Sequence, residues 1–357
     1  MDKPGIARAL AQGGVRVRTA RMNGKLSFGY LYDFRNPAQF ARDPAALYAE
    51  TLDVIAQTER LGFAGAWVPE HHVASDGYMP APTVALAAIA ARTSRMLIGT
   101  GVALGPLYDP LRFAEDCAVL DILSGGRLRM GLAIGYRRRE YEAYGRDFTR
   151  RGARFDEFLH LVRRLWAGET VDFEGEFYTL KGARVSPLSP RGQIPLFIGG
   201  FAPKALDRVV RYGDGYFGNE EVIGTYQQKL AAVGKDPAAA QVWLQGLMLV
   251  VAEDKAAALE ELAPYFLHVN NSYGEWMNED KAIGLDNAAM KPMDLEAFKR
   301  SGIMQILTPE EAVAHFQALR SRVPVEHFTM MMPPGLPAQR FLAYAELFAR
   351  KVMSAFA

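Results

Sequence analysis

Two histidines stand side by side in Trp67-Val68-Pro69-Glu70-His71-His72, and the chain of 357 residues has only six. They follow a short apolar run, Phe63 to Val68, and precede a turn-rich stretch, Val73 to Pro82. In an α/β protein the end of a strand is where reactive side chains are displayed. An imidazole there suits proton transfer near neutral pH. Adjacent strand residues point to opposite faces, so the pair does not easily chelate one ion, and no metal site is expected. A competing reading, in which both rings cap the strand end and bond backbone, carries equal weight on composition alone.

Three further stretches carry possible chemistry. Gly99-Thr100-Gly101-Val102 puts glycine inside a strand, which marks a bulge, the approach of a flat ligand, or a tight place in packing. Ile198-Gly199-Gly200-Phe201-Ala202-Pro203-Lys204 runs from strand into helix, where free amides suit a phosphate. Arg150-Arg151-Gly152-Ala153-Arg154 heads another helix and either adds phosphate contacts or forms a solvated charged face. Met330-Met331-Met332 and Cys117 read as core packing.

The elements that position these residues follow one grammar. Lys25 to Tyr32 alternates as a strand, and Asp43-Pro44 opens a helix that stops at Gly62. Ala81-Pro82 opens an alanine-rich helix to Arg92, Arg95 to Ala103 is a strand, and Asp109-Pro110 caps a helix ending at Gly125-Gly126. Strand four spans Arg127 to Ile134. A charged helix from Arg151 to Trp166 follows, then a hairpin turning at Glu174-Gly175. Ile194 to Gly200, Asp214 to Gly218, Val242 to Val251 and Glu326 to Met332 give strands five to eight. Ala263 to Ile306 reads as irregular, long enough to form a lid. Thr308-Pro309-Glu310-Glu311 is a capping box. Eight strands alternating with helices predict a (β/α)₈ TIM barrel with insertions after strands four and seven. One domain is expected over residues 25–357, behind a basic N-terminal extension over 1–24, for which a transit peptide is the less favoured reading.

Composition excludes several classes. A net charge of +1 gives no bulk attraction to nucleic acid or membrane. No apolar run reaches the roughly 18 residues of a membrane helix. A single cysteine fits a reducing, cytoplasmic setting.

Taken in order and spacing, several stretches resemble the bacterial-luciferase-like flavin-dependent monooxygenase family. They are LGFAGAWVPEHH (61–72), ALAAIAARTSRMLIGTGV (85–102), DPLRFAEDCAVLDILSGGRLRMGLAIGY (109–136), RGARFDEFL (151–159) and PLFIGG (195–200). The resemblance covers about Lys25 to Met353. It implies reduced FMN at the C-terminal mouth of the barrel, used with O₂ to oxygenate an organic substrate, the reduced flavin coming from a separate reductase. By motif match, His71 is the catalytic position and His72 its neighbour. Gly101 and Val102 match the family's bulge beside the flavin ring, often a non-proline cis peptide. Gly135 and Tyr136 match a loop along the flavin, and Gly199, Gly200 and Phe201 match the phosphate turn. The luciferases' phosphate arginines fall on Ile134 and Gly152, leaving Arg151 and Arg154 as the cations at hand; their reactive cysteine falls on Ala133. A homodimer through early barrel helices is also implied.

The alternatives are hydride transfer with a deazaflavin, whose enzymes usually carry a glutamate-bearing stretch after strand four where this chain has GLAIGY, and a non-catalytic flavin-binding relative. Tyr30, Phe34, Tyr78, Leu107, Trp276 and Met290 are candidates for a largely apolar pocket, which points to a small hydrophobic or aromatic substrate.

Overall fold

The strand–helix grammar closes into a barrel in a computed structural model, which describes residues 25–279 and 290–356. Residues 1–24, the expected basic extension, lie outside the described residues. The barrel strands are β1 (Ser27–Leu31), β2 (Gly65–Val68), β3 (Leu97–Thr100), β4 (Leu128–Ala133), β5 (Leu196–Ile198), β6 (Gly215–Gly218), β7 (Val242–Gln245) and β8 (Val325–Met331). Each pairs in parallel with the next, and β8 pairs with β1, so no edge is left open. The helices are α1 (Pro44–Arg60), α2 (Pro82–Arg92), α3 (Pro110–Leu123), α4 (Arg138–Ala143), α5 (Arg151–Trp166), α6 (Pro203–Tyr212), α7 (Ile223–Ala232), α8 (Lys255–Glu279), α9 (Leu295–Ser301), α10 (Pro309–Arg322) and α11 (Ala338–Lys351).

Local chemistry sets several helix starts. Asp43 accepts from the Ala46 N–H, and Asp109 accepts from those of Leu111 and Arg112. Thr308 and Glu311 form the expected capping box. Such caps are worth about 1 kcal/mol each.

Aromatic rings fill the barrel interior. Trp67 on β2 meets Trp243 on β7 at 4.7 Å between centroids, and Trp243 stacks on Phe197 of β5 at 3.7 Å. β2 and β7 are not neighbours, so these rings cross the barrel. Gly99 makes room for the Trp67 ring and for the next strand, since a Cβ there would lie 2.8 Å from Trp67 Cζ3 and collide with Arg129 O. His327 sits in the same layer, fully buried. It accepts from Trp67 Nε1–H at 2.8 Å, so its proton is on Nδ1, which donates to Ser27 Oγ at 2.7 Å. Burial pushes its pKa down to about 3.

Two expectations fail. The Ala263 to Ile306 stretch is not irregular throughout: α8 runs from Lys255 to Glu279 with Pro264 inside it, and α9 follows. Asp254 caps α8 by accepting from the Ala257 N–H, and Ala258, Leu262, Phe266 and Val269 bury one helical stripe. That stripe outweighs the breakers Pro264 and Gly274. The stretch Val242 to Val251 is two strands. After Gly246 the chain leaves the barrel, and Leu249–Val251 pairs in parallel with Gln305–Leu307. An antiparallel hairpin, Val171–Glu174 with Thr179–Ala183, lies between α5 and β5.

Candidate active site

β2 delivers Glu70, His71 and His72 to the C-terminal mouth. All three are buried, and each belongs to a hydrogen-bonded set. Glu70 Oε1 accepts from Tyr108 OH and pairs with His72 Nε2, both at 2.8 Å, while Oε2 accepts from the Leu104 N–H at 2.7 Å. The other nitrogen of His72 lies 3.2 Å from Tyr144 OH. With both ring nitrogens engaged, His72 ties β2 to the neighbouring loops.

His71 is placed differently. Its Nδ1 lies 2.8 Å from Glu140 Oε1, at the head of α4. The same oxygen accepts from the His72 backbone N–H at 3.0 Å and faces Arg137 Nη1 at 3.4 Å. Burial works against charge on Glu140. The hydrogen bonds from His71 and His72 and the nearby Arg137 outweigh it and hold the carboxyl below the usual range. An ionised carboxylate can only accept, so His71 Nδ1 carries a proton and donates. Nε2 makes no hydrogen bond among the described residues and is the nitrogen left for chemistry.

Rings surround that imidazole. Tyr78 lies 4.7 Å away between centroids, Tyr136 5.9 Å, and Tyr273 and Trp276 of α8 lie at 5.8 and 5.0 Å. Tyr78 OH and Tyr273 OH are hydrogen-bonded at 2.8 Å. α8 thus roofs His71. Of the six pocket residues expected, Tyr78 and Trp276 reach it, while Tyr30, Phe34 and Leu107 do not. Tyr30 packs on Phe63 and Phe341, Phe34 packs on Tyr48, and Leu107 joins a separate cluster with Tyr141 and Phe148.

A second group of expected residues gathers across the mouth. The Gly101-Val102 peptide is cis, and Gly101 N–H donates to Val68 O, three residues before His71. A Cβ built on Gly199 would touch Val102 Cγ1 at 3.5 Å and Ala133 Cβ at 3.8 Å, so the ends of β3, β4 and β5 converge there. Gly200 has φ +133°, open only to glycine, and leads into α6, whose N-cap Ala202 offers no side-chain bond. Phe201 beside it is 54% exposed. Gly135, with φ +71°, turns the chain against Leu104.

The two arginines are engaged elsewhere. Arg151 lies over the Phe148 ring at 3.7 Å, and Arg154 Nε–H donates to Pro106 O at 3.0 Å with its guanidinium over Tyr178. Arg208, unremarked in the sequence, joins the two helix starts by donating to Gly152 O and Asp156.

Sequence reading missed Glu140, Arg35 and Arg137. Arg35 donates to Asp76 at 2.6 Å and to Ser272 Oγ at 2.6 Å. Arg137 donates to His72 O at 2.8 Å. Asp33 lies beneath them, fully buried, and burial pushes its pKa up to about 7 against the pull of Arg35.

The sequence from residue 26 to 326 matches the profile described as luciferase-like monooxygenase. The chain belongs to that family. Among luciferase-like relatives, the trigonelline monooxygenase oxygenase component of Acinetobacter baylyi is 26% identical over 333 residues, 87% of this chain and 90% of its own length. An F420-dependent glucose-6-phosphate dehydrogenase of Mycolicibacterium gilvum is 31% identical over 206 residues, 53% of this chain; the match spans only 61% of that relative. The fold superposes on monooxygenase RslO1 of Streptomyces bottropensis with a TM-score of 0.77, at 24% identity, covering 93% of this chain and all of that one. The relatives this chain is similar to thus include a flavin-dependent monooxygenase component and F420-dependent dehydrogenases.

Proposed function

We propose that the chain is the oxygenase component of a two-component, FMN-dependent monooxygenase acting on a small aromatic substrate. The observation that carries this reading is the His71–Glu140 pair. An ionised, buried carboxylate fixes the imidazole through Nδ1 and leaves Nε2 without a hydrogen bond among the described residues. The mouth fits a flavin: glycine at 101, 199 and 200 lets the strand ends pack where a Cβ would press on Phe217, Leu31 or Ala205, and the uncapped start of α6 offers amide donors to a phosphate. When bound, reduced FMN supplies two electrons to O₂, one oxygen atom going to the substrate and the other leaving as water.

In this reading Gly199, Gly200 and Phe201 hold the phosphate end, with Arg151 or Arg154 swinging in to assist. Gly101, Val102, Gly135 and Tyr136 flank the ring. His71 Nε2 accepts the substrate proton or returns it, while Glu140 stabilises the imidazolium. His72 and Glu70 keep the strand end fixed. Tyr273 and Trp276 exclude water. Reduced flavin comes from a separate reductase, as for an oxygenase component such as the Acinetobacter relative.

A second reading, hydride transfer to a deazaflavin, draws on the 31% identity to the dehydrogenase and on Glu140 following β4. Titration with FMN and with the deazaflavin separates them, followed by turnover of reduced FMN under labelled dioxygen. FMN binding with label in the product is expected. Deazaflavin binding without FMN affinity overturns the first reading, and FMN binding without oxygen consumption makes the chain a non-catalytic relative.

Residues 25–357 act in this reading as one domain in the cytoplasm; no helix among the described residues is long and apolar enough to cross a membrane. Val84 on α2 and Val119, Ile122 and Leu123 on α3 are exposed, and we place a homodimer interface there.

A further inference from the structure

α8 meets the mouth with one side of its helix. His268, Ser272, Tyr273 and Trp276 are spaced so that their side chains leave the helix on that side. Each reaches a loop at the end of a barrel strand. His268 Nε2 lies 2.7 Å from Asp76 Oδ2, and Tyr273 OH lies 2.8 Å from Tyr78 OH. Ser272 Oγ accepts from Arg35 Nη2 at 2.6 Å, and the Trp276 ring centroid lies 5.7 Å from Arg35 Cζ. A cleft of about 650 Å³ runs here, lined both by α8 and by the loop Val73 to Asp76. A helix that borders open space is not held there by close packing, so polar bridges must hold it.

Arg35 is the centre of those bridges. It is almost wholly buried, its Nε donates to Asp76 Oδ2 at 2.6 Å, and its Cζ lies 4.6 Å from the Tyr78 ring centroid. Its partners are oriented to receive it. Ser272 Oγ–H donates to His268 O at 2.8 Å, which leaves the oxygen's lone pairs for the guanidinium. Burial works against charge on Asp76, but the hydrogen bonds from His268 and Arg35 hold its pKa down to about 2. The base of Arg35 is fixed as well. Phe34 turns the chain after β1 at φ +57°, a conformation that persists only where the surroundings impose it, and Asp33 Oδ1 accepts from the Arg35 N–H at 3.1 Å. From Asp33 the backbone leads to the imidazole: Asp33 O accepts from the Met79 N–H, and Met79 O accepts from the His71 N–H.

Resting on the reading of His71 as the proton-transferring group, we infer that Arg35 is a positioning residue. It ties α8 to the backbone frame that carries His71, and so sets Tyr273 and Trp276 over the imidazole. It acts through those rings, whose place decides how freely water reaches His71.

Hydrogen–deuterium exchange at the histidine ring carbons, read by mass spectrometry on the flavin-free protein at one pH, tests this. Arg35→Met and Ser272→Ala each raise exchange at His71 at least threefold, and leave His72 and His327 at parent rates. Ser272→Thr, which keeps the hydroxyl, stays at the parent rate. Trp276→Leu raises exchange at His71 by a similar factor, and adding Arg35→Met to it raises it no further, because both act through one roof. Parent exchange at His71 in Ser272→Ala overturns the inference even where Arg35→Met does not fold. Faster exchange at all three rings is a loosened fold, and overturns it too. FMN and riboflavin are titrated on the same samples. If Arg35→Met weakens FMN but not riboflavin, the arginine serves the flavin phosphate directly and the inference falls. A parent that binds no FMN sinks the monooxygenase reading, while the exchange rates still decide what Arg35 does to the roof.

Discussion

Replacing Glu140 by glutamine keeps an oxygen where His71 Nδ1–H donates and removes only the charge. In the parent, Oε1 meets His71 Nδ1 at 2.8 Å, the His72 N–H at 3.0 Å and Arg137 Nη1 at 3.4 Å, inside a shell that excludes water. A hydrogen bond to a charged group contributes about 1.5–3 kcal/mol, against about 0.5–1.5 kcal/mol for a neutral one. The imidazolium therefore loses about 1–1.5 kcal/mol of support relative to the neutral ring, roughly a tenfold fall in kcat if the charged ring forms in the transition state. FMN affinity and substrate KM stay near parent values. Single-turnover kinetics with reduced FMN in excess read the effect. A Glu140→Gln enzyme with parent kcat refutes the argument that the Glu140 carboxylate supports a charged His71 in the transition state.

Three further outcomes are expected. His327 resists protonation in the folded barrel down to about pH 3, while the unfolded chain protonates it near pH 6.5, at about the reference value. The unfolded state therefore binds the extra proton between these limits, and stability falls as pH drops below about 6.5, by up to about 1.4 kcal/mol per unit. Urea unfolding of parent and His327→Gln between pH 4.5 and 8 measures it, and equal slopes in both proteins refute it. Gly200→Ala forces φ +133° on a residue with a side chain and sets its Cβ 2.8 Å from that of Ala205; FMN affinity falls at least tenfold by fluorescence titration, and unchanged affinity removes this turn from the phosphate site. Leu123→Arg, at a side chain 62% exposed, converts the dimer to monomer by light scattering, while a parent that is already monomeric refutes the interface.

The barrel was legible because its signals are local. Asp43-Pro44, Asp109-Pro110 and Thr308-Pro309 announce helices within four residues, and the structure uses each of these caps. α8 was not legible, because Pro264 and Gly274 read as breaks, and the stripe that holds the helix gains its energy only once the barrel wall is there to cover it. The chemistry of the mouth has the same character. Glu140 lies 69 positions from His71, inside the run Arg137 to Glu142 that reads as a solvated, charged helix end. Nothing in that run distinguishes the buried Arg137 from the exposed Arg139. Their difference is made by the roof: α8 brings Trp276 over one guanidinium and leaves the other in water. The helix that the sequence concealed is thus the element that buries one arginine of an ordinary charge run beside Trp276 and leaves its neighbour exposed. Any relative that keeps Glu70-His71-His72 but alters α8 at Tyr273 or Trp276 is therefore expected to retain proton transfer at His71 and change its substrate.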